Sequence, residues 1–247
     1  MRVNIIGTGI SGLVTGALLS QAGCKVHLYE QNEDIGGVTG GVHKNGYHWD
    51  LGQLILEGFG PGEQAGSVID ELGIRDKINL IPADRAYSFP GFTIRPPEEY
   101  QGPWWRRQYL IDQFPQEKRG IKRYYRYYRR MMEIVTLARR GEGARGIAAA
   151  FYKTALCMHL ISMLPKRKWS AKQLMDRFFR GQEIKAVFTS ILADFVVRPE
   201  DFQGLGVALV NPEPAFDNRV PLKFSLYGRQ PSYHYIDGGC RALVDVL

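Results

Sequence analysis

The chain has 247 residues, of which 45% are hydrophobic and 23% charged, and its formal net charge at pH 7 is +7. This composition excludes a disordered or collagen-like chain, and the length allows a sizeable core. Cys24, Cys157 and Cys240 lie far apart without a CxxC pair, so we expect buried apolar cysteines and no disulfide framework. The first strand begins at residue 2, which leaves no room for a signal peptide and predicts a cytoplasmic location.

The first predicted elements are a short apolar strand and a glycine-rich turn. Gly7, Gly9 and Gly12 follow the apolar strand directly in the spacing GxGxxG, and apolar residues then recur at helical intervals until Gly23. The first glycine allows a sharp turn, the second lets a pyrophosphate approach the backbone, and the third lets the helix pack closely on the strand. In this context the motif predicts a dinucleotide site at the helix N-terminus, where Ser11 lies, rather than a turn that is merely rich in glycine.

The second predicted strand, KVHLYE, ends on an acidic residue. Glu30 lies 18 residues beyond Gly12, close to the roughly 20 expected for the acid that accepts hydrogen bonds from the ribose hydroxyls. A carboxylate at this position disfavours a 2′-phosphate, so the pattern argues against NADP.

A glycine pair and a hairpin follow this strand. Gly36 and Gly37 come six residues after Glu30, and Asn45-Gly46 predicts a tight turn between two short strands. With these residues the sequence resembles the FAD-dependent amine-oxidase-like flavoproteins, and within them the group of phytoene desaturases, carotenoid isomerases and retinol saturases. The resemblance implies that the cofactor is FAD. The residues that it implies for FAD binding are Gly7, Gly9, Ser11, Gly12, Glu30, Gly36, Gly37, Thr39, Asp50 and Gly52.

Two later segments are also similar to this family. Residues 114–134 resemble a helical stretch of carotenoid-isomerase-like members, and residues 233–247 resemble the segment with which they re-enter the flavin domain. Two residues depart from the pattern, because Val38 stands where many members carry arginine and Ile236 stands where proline is usual. Family members are typically much longer, so we interpret the chain as a fragment that does not turn over alone.

The resemblance implies an α/β fold in which a Rossmann-like FAD-binding domain carries an inserted α+β substrate and membrane-contact domain, with the C-terminal part of the fold missing. We expect the FAD-binding domain at residues 1–75, the inserted domain at 76–232 and the return to the FAD-binding domain at 233–247. In the inserted domain, residues 78–100 and 209–236 are predicted to form short strands and turns.

Positive charge is concentrated in the middle of the chain. Residues 104–145 contain twelve Arg or Lys and four Asp or Glu, a net charge of +8. Helical spacing separates an apolar face from a basic one. The apolar face is Ile121, Tyr125, Tyr128, Met132 and Val135, and the basic face is Arg119, Arg123, Arg126 and Arg130. A basic face of this kind fits plain solvation, pairing with acids in the missing segment, or an anionic membrane surface, and no nucleic-acid-binding motif accompanies it.

An apolar stretch follows at residues 146–164, with Lys153 near its centre and basic residues on both sides. It nearly reaches the ~20 residues that span a bilayer, but the central lysine would cost roughly 3 kcal/mol. We therefore expect an interfacial helix, with Trp104, Trp105 and Trp169 at the level of the headgroups, and a buried core helix is the alternative.

Other chemistries have little support in the sequence. The five histidines lack the spacing of metal ligands, and neither a GxSxG motif nor a P-loop is present, so we expect no metal. No catalytic residue is assigned. Asp50, Asp194 and Glu200 are candidates only as polar residues beside apolar runs.

The resemblance implies an FAD-dependent oxidoreductase that acts on an apolar polyene or isoprenoid lipid at a membrane surface, by desaturation, saturation or flavin-assisted isomerisation. Two alternatives remain open. One is a soluble amine-oxidase-like flavoprotein, which would not need the basic and apolar residues 104–164. The other is a flavin-free lipid-binding or escort module, because Rab escort and GDP-dissociation-inhibitor proteins are similar at this N-terminus. The sequence leaves the oligomeric state open.

Overall fold

The computed structural model of the chain describes residues 1–52, 55–60, 63–221 and 233–247. It divides into two compact units. The first comprises Met1–Ala83 with Pro231–Leu247, and the second is Asp84–Gln230. The strands are β1 Arg2–Ile6, β2 Lys25–Tyr29, β3 Gly41–Lys44, β4 Tyr47–Asp50, β5 Leu56–Glu57, β6 Leu80–Pro82, β7 Tyr87–Phe89, β8 Phe92–Ile94 and β9 Tyr233–Ile236. The helices are α1 Ile10–Gln21, α2 Gln64–Leu72, α3 Trp105–Gln113, α4 Lys118–Glu142, α5 Gly146–Ile161, α6 Ala171–Phe178, α7 Gln182–Thr189, α8 Val207–Val210 and α9 Arg241–Val246.

The first unit begins with the predicted strand, helix and strand. β1 and β2 pair in parallel, with Val3 opposite Val26, and α1 connects them. Gly23, at φ +81°, takes up the left-handed backbone that follows the end of α1. The next two strands, β3 and β4, form an antiparallel hairpin whose turn contains Asn45 and Gly46, both at positive φ. The predicted hairpin is therefore confirmed.

A three-stranded antiparallel sheet completes the first unit, with β9 between β5 and β6. Leu80 pairs with Ile236, and the compact unit extends to Ala83, whereas the sequence predicts a domain boundary after residue 75. The core under this sheet combines α2, α9 and the strands. Its buried residues are Leu56, Ile69, Leu72, Ile74, Ile78, Ile236, Cys240 and Leu243.

The second unit is mainly helical, and its longest helix, α4, shows the two faces predicted from its sequence. Ile121, Tyr125, Tyr128 and Met132 are buried, Val135 is half-buried, and the arginine face of residues 119, 123, 126 and 130 is exposed. Aromatic rings fill much of the core behind α4. Phe179 and Phe188 stack with 5.3 Å between their ring centroids, and the ring centroid of Tyr124 lies 4.0 Å from that of Phe188.

Two expectations for this unit are wrong in part. Residues 209–221 contain the end of α8 and a 3₁₀ turn at Glu213–Ala215 instead of strands, because Pro212 and Pro214 cannot donate to a strand ladder. Residues 222–232 of that predicted segment lie outside the described residues. Trp105 is buried with Leu110 on α3 rather than placed at the surface, while Trp104 and Trp169 are half-buried.

The cysteines differ in exposure. Cys240 is buried, and burial raises the pKa of its thiol to about 11. Cys24 is half-buried, and Cys157 is exposed, against expectation, because it lies on α5, a helix without a buried residue. None of the helices in the described part of the chain has the length and apolar character to cross a membrane.

Candidate nucleotide-binding site

The turn between β1 and α1 is built by its glycines. Gly7, at φ +93°, donates its N–H to the carbonyl oxygen of Tyr29 at 2.7 Å, which ties the turn to the end of β2. A Cβ on Gly12 would overlap the carbonyl oxygen of Gly7, so α1 can start this close to β1 only with glycine there. A Cβ on Gly9 would meet no atom within 4 Å. The space beside Gly9 is therefore open to a ligand, as the motif requires.

Glu30 lies at the end of β2 with its carboxylate held by five donors. Its Oε2 accepts hydrogen bonds from the Thr8 backbone N–H at 2.9 Å and from the Thr8 hydroxyl. Its Oε1 accepts from Gln31 N at 2.9 Å, from Asn32 N at 3.1 Å and from Asn32 Nδ2 at 2.9 Å. These bonds, the Thr8 hydroxyl first, lower the pKa of Glu30 to about 2. The carboxylate is thus an ionised acceptor, which suits ribose hydroxyls and repels a 2′-phosphate.

Sequence reasoning missed two of these partners, Thr8 and Asn32. Thr8 is buried between the first two glycines of the motif. Its place in the motif could have predicted the contact with Glu30. A hydroxyl between Gly7 and Gly9 lies at the carboxyl end of β1, beside the end of the parallel strand β2 that carries Glu30. Asn32 follows β2 by three residues and gives no comparable signal.

The glycine pair packs against this turn. Gly36, at φ +109°, donates its N–H to the Thr8 carbonyl oxygen at 2.9 Å, and Gly37 approaches Gly9 so closely that a Cβ would lie 3.2 Å from the Gly9 Cα. The Thr39 hydroxyl is buried and donates to the Gly36 carbonyl oxygen at 2.6 Å. Most predicted cofactor residues therefore lie around one turn, with Ser11 exposed at the start of α1.

Asp50 and Gly52 lie outside this cluster. The Asp50 carboxylate accepts a hydrogen bond from Cys240 N at 2.8 Å, and its Oδ1 is 3.5 Å from the ring nitrogen Nε2 of His48. These contacts anchor the segment that leads into α9. Gly52 is exposed next to Val38, and the role of Asp50 and Gly52 beside a flavin stays a prediction.

No catalytic group can be assigned from the geometry. Asp194 and Glu200 are exposed residues of the second unit. Within the described ranges, no three His, Cys, Asp or Glu side chains cluster as metal ligands. What the site offers is an open backbone at a helix N-terminus and an ionised acid at the end of the next strand. This combination fits the adenosine and pyrophosphate portion of a dinucleotide.

Comparisons with known proteins show what the chain is similar to. Residues 5–72 match the NAD(P)-binding Rossmann-like domain family. Prolycopene isomerase 2 from an Oncidium hybrid cultivar is 30% identical over 125 residues, which cover 49% of this chain and 21% of that protein. The all-trans-retinol 13,14-reductase of Danio rerio is 23% identical over 204 residues, covering 80% of this chain and 33% of that protein.

A solved structure confirms the fold. A redesigned triple mutant of putrescine oxidase superposes with a TM-score of 0.55 at 19% identity, covering 99% of this chain and 48% of that one. Residues 5–72 therefore form a Rossmann-like domain, which confirms the expected fold class, and the chain is similar to prolycopene isomerase and retinol reductase, as the sequence resemblance implied. It spans a fifth to a third of the two curated relatives described above and about half of the solved structure.

Proposed function

We propose that the chain is the nucleotide-binding and lipid-contacting part of an FAD-dependent oxidoreductase that acts on an apolar polyene or isoprenoid lipid. The reaction is a desaturation, a saturation or a flavin-assisted isomerisation. The observation that carries the proposal is the turn at Gly9 and Glu30, which fits the adenosine half of FAD. The similarity to prolycopene isomerase and retinol reductase supports the substrate class.

The residues of this chain bind and orient the cofactor. The open backbone at Gly9 and the start of α1 would hold the pyrophosphate, and Glu30 would accept the ribose hydroxyls. FAD supplies the electron chemistry when it is bound. Because the pKa of Glu30 is about 2, its carboxylate stays an acceptor throughout the physiological pH range.

A membrane surface suits such a substrate, and the second unit supports this part of the proposal. On α5, Ile147 is 91% exposed, Phe151 65% and Met158 63%. Exposed apolar surface of this extent marks an interaction site, and the basic face of α4 belongs to the same helical unit. We propose a peripheral attachment at the cytoplasmic face of a membrane, with the polyene entering from the bilayer.

Gly9→Ala tests the cofactor site against a matched control. The new methyl group clashes with nothing in the protein, so stability should be unchanged, but it fills the space that the pyrophosphate needs. Gly143→Ala also adds a methyl group in open space and is the control. In isothermal titration the native chain and the control should bind FAD and ADP, whereas Gly9→Ala should bind neither. Equal binding by both variants would refute the site.

Glu30→Arg tests the ribose acceptor. It exchanges an acceptor for a donor, so affinity for FAD and ADP should fall by at least about tenfold because hydrogen bonds to a charged group are lost. FMN, which lacks the adenosine half, serves as the negative ligand. If the native chain binds none of these ligands, the flavin-free lipid-binding module becomes the better interpretation.

A further inference from the structure

A pocket of about 450 Å³ lies beside α4 in the second unit, and its walls are unusually basic. Four arginines of α4, residues 123, 126, 129 and 130, line it together with Lys166, which follows α5. Glu133 is the one carboxylate in the lining. Five cations against one anion leave this pocket with a formal charge of +4.

The cations of this pocket are not neutralised by carboxylates. Within the described residues, none of the five takes part in an ion pair. Glu133 is itself directed toward His159, whose Nδ1 lies 3.8 Å from its Oε2. The mutual repulsion of these cations would therefore be relieved by a bound anion.

Three of the cations are already held in place by neutral acceptors. Arg123 donates to the Arg177 carbonyl oxygen at 2.8 Å and lies over the Phe178 ring. Arg130 donates to the Ser162 hydroxyl at 3.4 Å, and Lys166 donates to the Ser162 carbonyl oxygen at 3.3 Å. Such partners fix the side chains without cancelling their charge, so less conformational entropy is lost when an anion binds.

The charge and geometry select the kind of anion. A carboxylate carries one charge and engages one guanidinium fork, whereas a phosphomonoester carries nearly two charges and three acceptor oxygens. Several arginines can share such a group. Next to Met163 in the wall, Leu160, Ile161 and Leu164 are exposed apolar residues close in sequence to Lys166. An anionic head and an apolar chain would both find partners here.

We propose that this pocket binds a phosphomonoester group, and that its source is the headgroup of a lipid whose chains lie along the exposed apolar residues of α5. The lipid source rests on the proposed membrane-surface function, whereas the phosphate site itself does not. Binding would hold the second unit at membranes that carry phosphomonoester lipids. A soluble phosphomonoester would present the same chemistry to the pocket, and the experiment separates the two sources.

Vesicle flotation of the full 247-residue chain tests the proposal. The vesicles are phosphatidylcholine with either phosphatidic acid or phosphatidylglycerol, adjusted to equal surface potential. The native chain should bind the phosphatidic acid vesicles at least about tenfold more tightly, because several charge-assisted hydrogen bonds distinguish the two headgroups. Isothermal titration with glycerol phosphate, against sulfate at equal ionic strength, measures the soluble arm.

A pair of double variants locates the effect. R126Q/R129Q removes two charges from the pocket, and R119Q/K122Q removes two exposed charges from the same helix outside it. The pocket variant should lose the preference for phosphatidic acid, while the control should weaken binding to both vesicles equally. R126K/R129K keeps the charge and loses the guanidinium forks, so it should lose most of the preference if the pocket is specific.

The outcomes are distinct. No preference by the native chain in either arm, or equal losses in the pocket and control variants, would overturn the phosphate site in favour of a diffuse basic surface. Binding of glycerol phosphate without vesicle preference would support the site and overturn its lipid source. Neither readout depends on flavin. These results would therefore stand even if the titrations with Gly9→Ala refuted the FAD site.

Discussion

The helices α4 and α5 are consecutive and pack against each other, yet they are anchored very differently. α4 is rich in charge and buries nine residues, four of them tyrosines, whereas α5 has one formal charge, at Lys153, and buries none. The more apolar helix is thus the more exposed one. Apolar composition alone does not decide burial, because a side chain needs a neighbouring surface to bury it. Although α5 packs on α4, none of its residues is buried, so it presents an apolar interaction surface.

The burial of α4 depends on polar contacts as well as packing. Arg106 of α3 is fully buried, and its guanidinium lies 2.9 Å from a Glu213 carboxylate oxygen and 3.7 Å from the centre of the Phe216 ring. The Tyr125 hydroxyl donates to the same Glu213 carboxylate, and the Tyr128 hydroxyl accepts the Glu213 N–H at 3.0 Å. No comparable contact of α5 with a buried group exists among the described residues.

The largest expected effect comes from removing Arg106, the buried partner of Glu213 in this network. Arg106→Ala should lower the free energy of unfolding by about 3–5 kcal/mol, because it leaves the Glu213 carboxylate buried without its partner. Denaturant unfolding measures the change. Replacing both partners, as in Arg106→Met with Glu213→Leu, should recover most of the lost unfolding free energy, since no unpaired charge then remains. A single variant as stable as the native chain would show that the pair does not anchor α4.

The next prediction, of intermediate size, compares the two helices by truncating one methionine in each. Met132 of α4 is 7% exposed and Met158 of α5 is 63% exposed. Met132→Ala should cost about 2–5 kcal/mol of unfolding free energy because it leaves a cavity. Met158→Ala should change it by less than about 0.5 kcal/mol. Equal losses in the two variants would mean that α5 is as firmly packed as α4, which contradicts the structure.

The smallest effect on stability should accompany a clear change in binding. Phe151→Ser removes an exposed ring from α5, so the unfolding free energy should change by less than about 0.5 kcal/mol. Flotation with anionic vesicles at high salt, where the electrostatic contribution is screened, should decrease because apolar insertion is weakened. Val196→Ser, at another exposed apolar residue of the second unit, is the control and should float like the native chain.

The sequence predicted the conformation of the glycine-rich turn, because each of its glycines answers a local steric demand. Gly9 leaves open space, Gly12 lies against Gly7, and Glu30 ends a strand whose length and partner follow from short-range pattern. The partners of Glu30 were not predictable in the same way. Asn32 reaches the carboxylate through a loop conformation, which the identity of the residue does not specify.

Long-range packing explains the other differences. The buried face of α4 follows from helical spacing, but the pairing of Arg106 with Glu213 joins residues 107 positions apart. The charge pattern of residues 104–145 could not separate this buried arginine from the exposed ones. Likewise, β6 joins the first unit by pairing with β9, which no local pattern around residue 80 indicates.

The position of β9 between β5 and β6 also has a consequence for synthesis on the ribosome. The first unit cannot complete its sheet, or cover Leu56 and Ile78, until Ile236 and Leu243 have left the exit tunnel. The second unit uses only residues that precede them, so it can fold earlier. The order of folding is then the reverse of the order in which the two units begin. During that interval the apolar residues of α1 that pack against this core, Ile10, Val14, Ala17 and Leu18, lack the part of it that Ile236 and Leu243 supply.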